Sequence, residues 1–328
     1  MAGRCRLSGL RSGVPSSVPY RSMQLNVRFG YSTGMWIKRF TSPASDLGAA
    51  EIILRLTAII LLMRPMGHWS VRAMTLVLAG LTLVFPRVLR APAAWYGLAL
   101  LISIRIIADW PVPDNHIYLL AYWCLALALA LGARDADRVL MRSSCLLIGF
   151  AFLMAFVWKA ALSPDYLDGR FFQVTLITDP RFENATKLLG GLTAQQLDQS
   201  RQHLQPLPEG AELLDDSEFD EPQAFKRLAS VSTWGLLIVE GLIAFVFLVP
   251  LRGRGVALRH IFLLLFCVVT YAFAPVAGFG WLLLTMGIAL CEPGHRWLRS
   301  GYVAAWCLVL LYNEVPWSWL MVKWLAKA

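Results

Sequence analysis

The sequence predicts an all-α polytopic membrane protein, a bundle of about nine transmembrane helices with one long extracytoplasmic loop. Three observations carry this. From Ala49 onward the chain is a succession of apolar runs, each about fifteen to twenty residues long, joined by polar connectors of which only Ser163 to Ser230 is long. With 57% hydrophobic and 16% charged residues over 328 positions, and a mean hydropathy of +0.57, the chain is too apolar for a soluble domain of its length. Finally, arginines recur in every second connector, as they do where alternate connectors face the cytoplasm. Hydrocarbon offers the backbone no water, so each run must satisfy its own amides and carbonyls as a helix.

Residues 1–45 form a basic, Ser-rich segment of disordered composition. Arg4, Arg6, Arg11, Arg21, Arg28, Lys38 and Arg39 occur there with no acid, and they account for most of the formal charge of +9. The remainder is near neutral, so the charge does not imply a nucleic-acid partner. The segment resembles a transit peptide in composition. Met35, opening Met-Trp-Ile-Lys-Arg-Phe40, offers an alternative start that leaves 1–34 as disordered or translated in error. No apolar stretch of a secretory signal precedes Ala49, so the first membrane helix is expected to direct insertion.

The apolar runs fall at roughly 49–63, 71–86, 93–108, 115–133 and 144–162, within a first block 46–162, and at 231–250, 256–274, 276–291 and 301–321, within a second block 231–328. Nine crossings put the two ends on opposite sides. Arg87 and Arg90, then Arg134, Arg138 and Arg142, then Arg252, Arg254 and Arg259, then Arg296 and Arg299 mark the cytoplasmic connectors. The N-terminus is therefore expected in the cytoplasm and the C-terminus outside it, as for a protein of a bacterial inner membrane. Arg64 and Arg72 are the discordant pair.

The connector 163–230 is expected to be extracytoplasmic. Thr193-Ala-Gln-Gln196 has capping-box spacing ahead of Leu197 and Leu204, and Pro206 ends the stretch, which predicts one short surface helix. Glu209 to Glu221 clusters acids, readable as a solvated loop or as a docking segment for a basic protein partner. Asn184-Ala-Thr186 has the spacing of a glycosylation sequon. Trp95, Trp110, Trp158, Trp234, Trp297, Trp317 and Trp319 fall near helix ends, where an interfacial belt explains them. Cys124, Cys145, Cys267, Cys291 and Cys307 lie in apolar runs without paired spacing and read as small buried hydrophobes. His68, His116, His203, His260 and His295 are scattered and give no metal-ligand pattern.

Charges within the runs are more informative, because one at mid-membrane costs about 2.5–3.5 kcal/mol on insertion scales. Glu240 and Arg55 are the deepest acid and base, and are expected to pair or to line one cavity. Arg105 and Asp109 have i,i+4 spacing and share a helix face. His116, preceded by Asn115, opens the next helix, and Lys159 lies near the outer end of the fifth. Lys159 either snorkels to the headgroups or turns inward, where desolvation would make it a base and His116 could serve a developing anion.

These motifs resemble a known group. Asp114-Asn-His-Ile-Tyr-Leu-Leu120, Phe152-Leu-Met-Ala-Phe-Val-Trp-Lys159, Asp165-Tyr-Leu-Asp-Gly169, Trp234-Gly-Leu-Leu-Ile-Val-Glu240 and Thr270-Tyr271-Ala-Phe-Ala-Pro-Val-Ala-Gly-Phe-Gly-Trp281 together resemble the membrane domain shared by vitamin K-dependent gamma-carboxylases and the horizontally transferred transmembrane (HTTM) proteins. The resemblance spans about residues 50 to 300 and rests on order and spacing more than on any single motif. It implies Lys159 as the base that deprotonates a reduced quinone and His116 as the group that stabilises a carbanion. Three features depart from the carboxylases: a single lysine preceded by Trp158, a longer step to the Asp-aromatic motif, and no large exterior domain after the helices. An HTTM protein is the closer match. Two functions compete: an enzyme holding a lipophilic, quinone-type small molecule near Lys159, with Arg105, Asp109, Asn115, Glu240, Arg55 and Tyr271 shaping the site, and a non-catalytic component docking a partner through 163–230.

Overall fold

The computed structural model describes residues 48–64, 69–110, 115–204, 222–273, 277–292 and 294–314. Among these the secondary structure is entirely helical, as the apolar runs require. In chain order the helices are α1 (Ala49–Met63), α2 (Trp69–Val84), α3 (Pro92–Ala108), α4 (Asn115–Gly132), α5 (Ala136–Val157), α6 (Arg170–Thr178), α7 (Glu183–Gly190), α8 (Ala194–His203), α9 (Gln223–Leu248), α10 (Val256–Phe273), α11 (Ala277–Ala289) and α12 (Arg296–Glu314). Three stretches are long and apolar enough to cross a membrane: Asn115–Gly132, Ala136–Leu162 and Gln223–Leu248. Trp69–Val84, Pro92–Ala108, Gly255–Tyr271 and Gly278–Ala289 are shorter apolar helices. The basic segment 1–45, the acids from Glu209 to Glu221, Trp317 and Trp319 lie outside the described residues.

Helix α11 is the hub. It packs on α1, α5, α10 and α12, and every residue from Gly280 to Met286 is buried, a helix apolar all round because it meets protein on all sides. Two glycines let neighbours approach it closely. A methyl group added at Gly280 would fall 1.6 Å from the Tyr271 hydroxyl, and one at Gly287 would fall 2.3 Å from the Tyr302 ring. Both positions are therefore closed to any side chain while those tyrosines stay in place.

Helices α5 and α9 form the second frame, packed along their length. Cys145 donates to the Phe247 carbonyl at 3.1 Å, Gly149 meets Leu248, and Gly241 lies under Phe156, so the two run antiparallel in a fixed register. Both helices start earlier than the hydropathy suggests. α5 opens at Ala136 because Asp135 caps it, accepting from the Arg138 amide at 3.1 Å; the supposed connector carrying Arg138 and Arg142 is two helical turns. α9 opens at Gln223 because Phe225 and Ala229 are buried between polar neighbours and pack against α6 and α7.

The segment 163–204 corrects the expectation of a solvated loop with one helix. It folds into α6, α7, α8 and a turn at Pro164–Leu167. Tyr166, Phe172, Leu176, Ile177, Leu192 and Leu197 build a small core of their own with Phe225, Ala229 and Leu237 of α9. The expected capping box forms at Thr193 and Gln196, and α8 follows it. Thr186 is buried and donates to the Leu176 carbonyl at 2.9 Å, which ties the sequon into this small core. Two further expectations need correction. Trp95 is fully buried, its indole N–H donating to the Leu89 carbonyl at 2.8 Å, and is not part of an interfacial belt. Cys307 is exposed, unlike Cys124, Cys267 and Cys291.

Candidate functional site: a buried lysine–glutamate pair

Lys159 sits in a π-helical turn, Trp158–Leu162, that continues α5. The turn follows from what comes next: Pro164 excludes its predecessor from the helical region, Ser163 adopts φ −126° and ψ 85°, and the chain leaves the helix axis. One residue of over-wide helix redirects the side chain. Lys159 turns inward and donates to Glu240 on α9. The Glu240 side chain is 7% exposed and that of Lys159 is 20% exposed, so most of this pair is withdrawn from surrounding solvent or lipid. The ammonium also lies 5.3 Å from the centre of the Tyr166 ring, within the range of a cation–π contact.

The pair leaves polar valences over. Oε2 of Glu240, the Tyr166 hydroxyl and Oγ1 of Thr233 are buried with no hydrogen-bond partner among the described residues. Thr233 and Glu240 are seven residues apart on α9 and share a face. Tyr166 reaches the site because Gly169 bends the chain behind it: Gly169 has φ +86°, a conformation that favours glycine, and it starts α6 by turning back over α9. Burial, and then the nearby Glu240 carboxylate, push the Tyr166 hydroxyl above its ordinary range, so it remains a neutral donor.

The other sequence candidates divide into separate places. Arg105 donates through Nε to Asp109 at 2.9 Å, the i,i+4 pair the spacing anticipates, at the C-terminal end of α3. Asn115 and His116 open α4. The His116 ring stands 5.9 Å from Phe279, which lies 6.0 Å from Phe152 and 6.3 Å from Phe266. Phe152 is seven residues before Lys159 on α5, about 10 Å along the helix. His116 is thus joined to the wall below Lys159 through aromatic rings, and it is not among the polar contacts of Lys159. Tyr271 lies against Gly280, beside Phe279.

Arg55 corrects a sequence expectation. It donates to Glu51 at 2.7 Å, and the other Glu51 oxygen accepts from Arg90 at 2.8 Å. Glu51 ties α1 to the connector before α3, and the Arg55–Glu240 pair does not form. Depth along a helix identified both residues as costly, but depth does not reveal the direction in which a side chain points. Three contributors carry no site role in the sequence reading. Tyr166 and Thr233 are ordinary residues until their neighbours orphan them. Arg64, discordant as a topological charge, lays its stem on α11, with Cδ 3.2 Å from a methyl group added at Gly278. Comparison of the chain with protein-family models, with curated proteins and with solved structures returns no match.

Proposed function

We propose that this chain is an HTTM-like integral membrane protein of nine crossings that holds a lipophilic, quinone-type ligand and moves a proton at the Lys159–Glu240 pair. The observation that carries the reading is the buried pair itself, with the unpartnered Glu240 Oε2 and Tyr166 hydroxyl around it. A paired lysine is charged and is no base. For Lys159 to act as a base its proton passes to Glu240, leaving an amine and a carboxylic acid with no net change of charge. The amine then accepts the proton of a ligand hydroxyl, and Tyr166 donates a hydrogen bond to the oxygen that has lost it. Phe152, Phe266 and Phe279 supply an apolar wall, with His116 and Tyr271 at its rim. Arg105 with Asp109, and Asn115, act as supports on this reading, while Arg55 pairs with Glu51 at the other end of the bundle.

The arginine-bearing connectors face the cytoplasm in this proposal, as in a bacterial inner membrane, with the N-terminus there and the C-terminus outside. The test is mass spectrometry of small molecules retained after purification in mild detergent, with Lys159→Ala and Glu240→Gln alongside. An isoprenoid quinone retained by the wild type, with turnover lost in both variants that still fold, supports the reading. Unchanged activity in Lys159→Ala rejects Lys159 as the base.

A second reading is favoured by the surface of the small core. Leu188 is 82% exposed and Leu189 is 54% exposed on α7, and Phe171 and Val174 are exposed on α6. Exposed apolar side chains on two neighbouring helices outside the spanning stretches suit a partner subunit. Co-purification of a partner that is lost with Leu188→Glu, in a protein retaining no small molecule, supports this reading over the first.

A further inference from the structure

The small helices built on α9 turn two different surfaces outward. Phe171 and Val174 on α6 and Leu188 and Leu189 on α7 are exposed. α8, which packs on α6, has one large apolar side chain, Leu197, and buries it; Gln195, Gln196, Asp198, Gln199 and Gln202 are what it exposes. A helix facing water has the composition of α8. On α6 the hydroxyls of Thr175 and Thr178 already donate to the Phe171 and Val174 carbonyls, at 2.7 and 2.8 Å, so neither needs a partner from its surroundings. The charges of the two helices are also used internally. Arg170 pairs with Asp165 and Asp168, Arg181 with Asp179, and Lys187 and Arg201 with Glu183.

Contacts with α9 set the height of α6 and α7. A hydrocarbon layer about 30 Å thick takes about twenty helical residues, and counted back from Leu248 these end near Ala229. A methyl group added at Gly169, which opens α6, would lie 3.9 Å from Oγ1 of Thr233, on the inner side of that boundary. One added at Gly190, which ends α7, would lie 3.3 Å from Phe225, on the outer side. Thr233 and Phe225 are each one helical turn from Ala229, so the two short helices bracket the boundary by about 6 Å either way, the depth range of interfacial helices. Lys226 and Arg227, exposed outside Ala229, and Trp234, exposed inside it, mark the same level. We infer that α6 and α7 are embedded in the headgroup layer on the Lys159 side of the bilayer, with Phe171, Val174, Leu188 and Leu189 meeting the acyl chains. The inference rests on α9 crossing the membrane, as proposed above, and it assigns to lipid the side chains that the second reading gives to a partner. The Phe171 ring, 5.3 Å from that of Tyr166, then stands between the Lys159 site and lipid, the side from which a lipophilic ligand arrives.

The full chain is reconstituted in phosphatidylcholine vesicles containing a phosphatidylcholine whose acyl chain carries a diazirine near the glycerol, irradiated, and mapped by peptide mass spectrometry. Ile238, Leu242 and Phe245, exposed on α9, provide the internal standard for lipid contact, and α8 provides that for water. The expected result is labelling of 170–178 and 183–190 within about threefold of the α9 standard, with α8 about tenfold or more below it. Leu188→Glu/Leu189→Glu alters only exposed side chains and is expected to lower labelling of 183–190 about threefold or more while the α9 standard holds. Label on α9 with none on α6 and α7 overturns the inference and leaves the membrane crossing intact; a partner chain recovered in that case gives the surface to the second reading. Absence of label on α9 itself overturns the crossing and the inference with it. Equal labelling of α7 and α8 overturns the inference because it reports no preferred side, as does labelling of α7 that the double variant does not lower.

Discussion

At one end of the bundle a lysine and a glutamate 81 residues apart in sequence meet across α5 and α9, leaving one carboxylate oxygen and a tyrosine hydroxyl unsatisfied. At the other end Arg138, Arg296 and Arg299 line a cavity together with Asp135, Asp137 and Glu292, and none of the three arginines is in an ion pair among the described residues. The first arrangement is closed: each charge is the other's partner, and the cost of burial is offset inside the protein. The second is open, and its arginines are tied to no single acid. Loss of a partner at the Lys159 end consequently ought to cost stability as well as any ligand chemistry, while a single arginine lost at the other end ought to cost little stability. Glu51 with Arg55 and Arg90 provides the local control, being arginines near the open end that are paired and partly exposed.

Breaking this contrast begins with Lys159→Ala. It strands an ionised or unwillingly protonated Glu240 in an apolar setting and is expected to cost about 3–5 kcal/mol, read as a fall in the unfolding midpoint in detergent. The double variant Lys159→Met/Glu240→Leu should recover most of that loss. A single variant no worse than the double would show that the pair is solvated. Next in size, Gly280→Ala forces the Tyr271 hydroxyl to move and is expected to destabilise by about 1–3 kcal/mol, an effect relieved when Tyr271 is also Ala.

Glu51→Gln tests the control. Arg90 is half-exposed, so losing both ion pairs should cost no more than about 1 kcal/mol. Each of Arg138, Arg296 and Arg299 replaced singly by Gln is expected to leave the midpoint within about 0.5 kcal/mol in detergent. A large loss there would mean that these arginines hold the fold together and would erase the difference between the ends.

The smallest effect is one of pH, in the small core outside the spanning helices. The Arg181 side chain hydrogen-bonded to Asp179 holds its carboxyl below the usual range. A depressed folded value means stability that is present above the ordinary carboxylate range and lost as pH falls through the folded value. Protection of the amides over 179–190, measured relative to their intrinsic exchange rate at each pH, should fall on acidification before that of the bundle, and Asp179→Asn should remove that dependence.

Sequence alone determined the helical class, the apolar stretches and the local pairs. Three of those stretches are helices long and apolar enough to cross a membrane, i,i+4 spacing joined Arg105 to Asp109, and capping chemistry started α8 at Ala194. These are properties of a chain segment and its immediate neighbours, so a linear reading captures them. It also marked Lys159, Glu240 and Arg55 as charges that need an explanation. Tertiary structure decided the partners. Whether Glu240 faces Arg55 or Lys159 depends on the register of α5 against α9 and on a π turn that precedes Pro164, seven residues beyond the α5 end. The cavity at the other end was invisible for the same reason: each of Arg138, Arg296 and Arg299 sits in a connector or first turn where charge is ordinary, and only the convergence of three helix starts brings them to one cavity with Asp135, Asp137 and Glu292. Depth in a membrane is written along one chain, but azimuth is set by side chains distant in sequence.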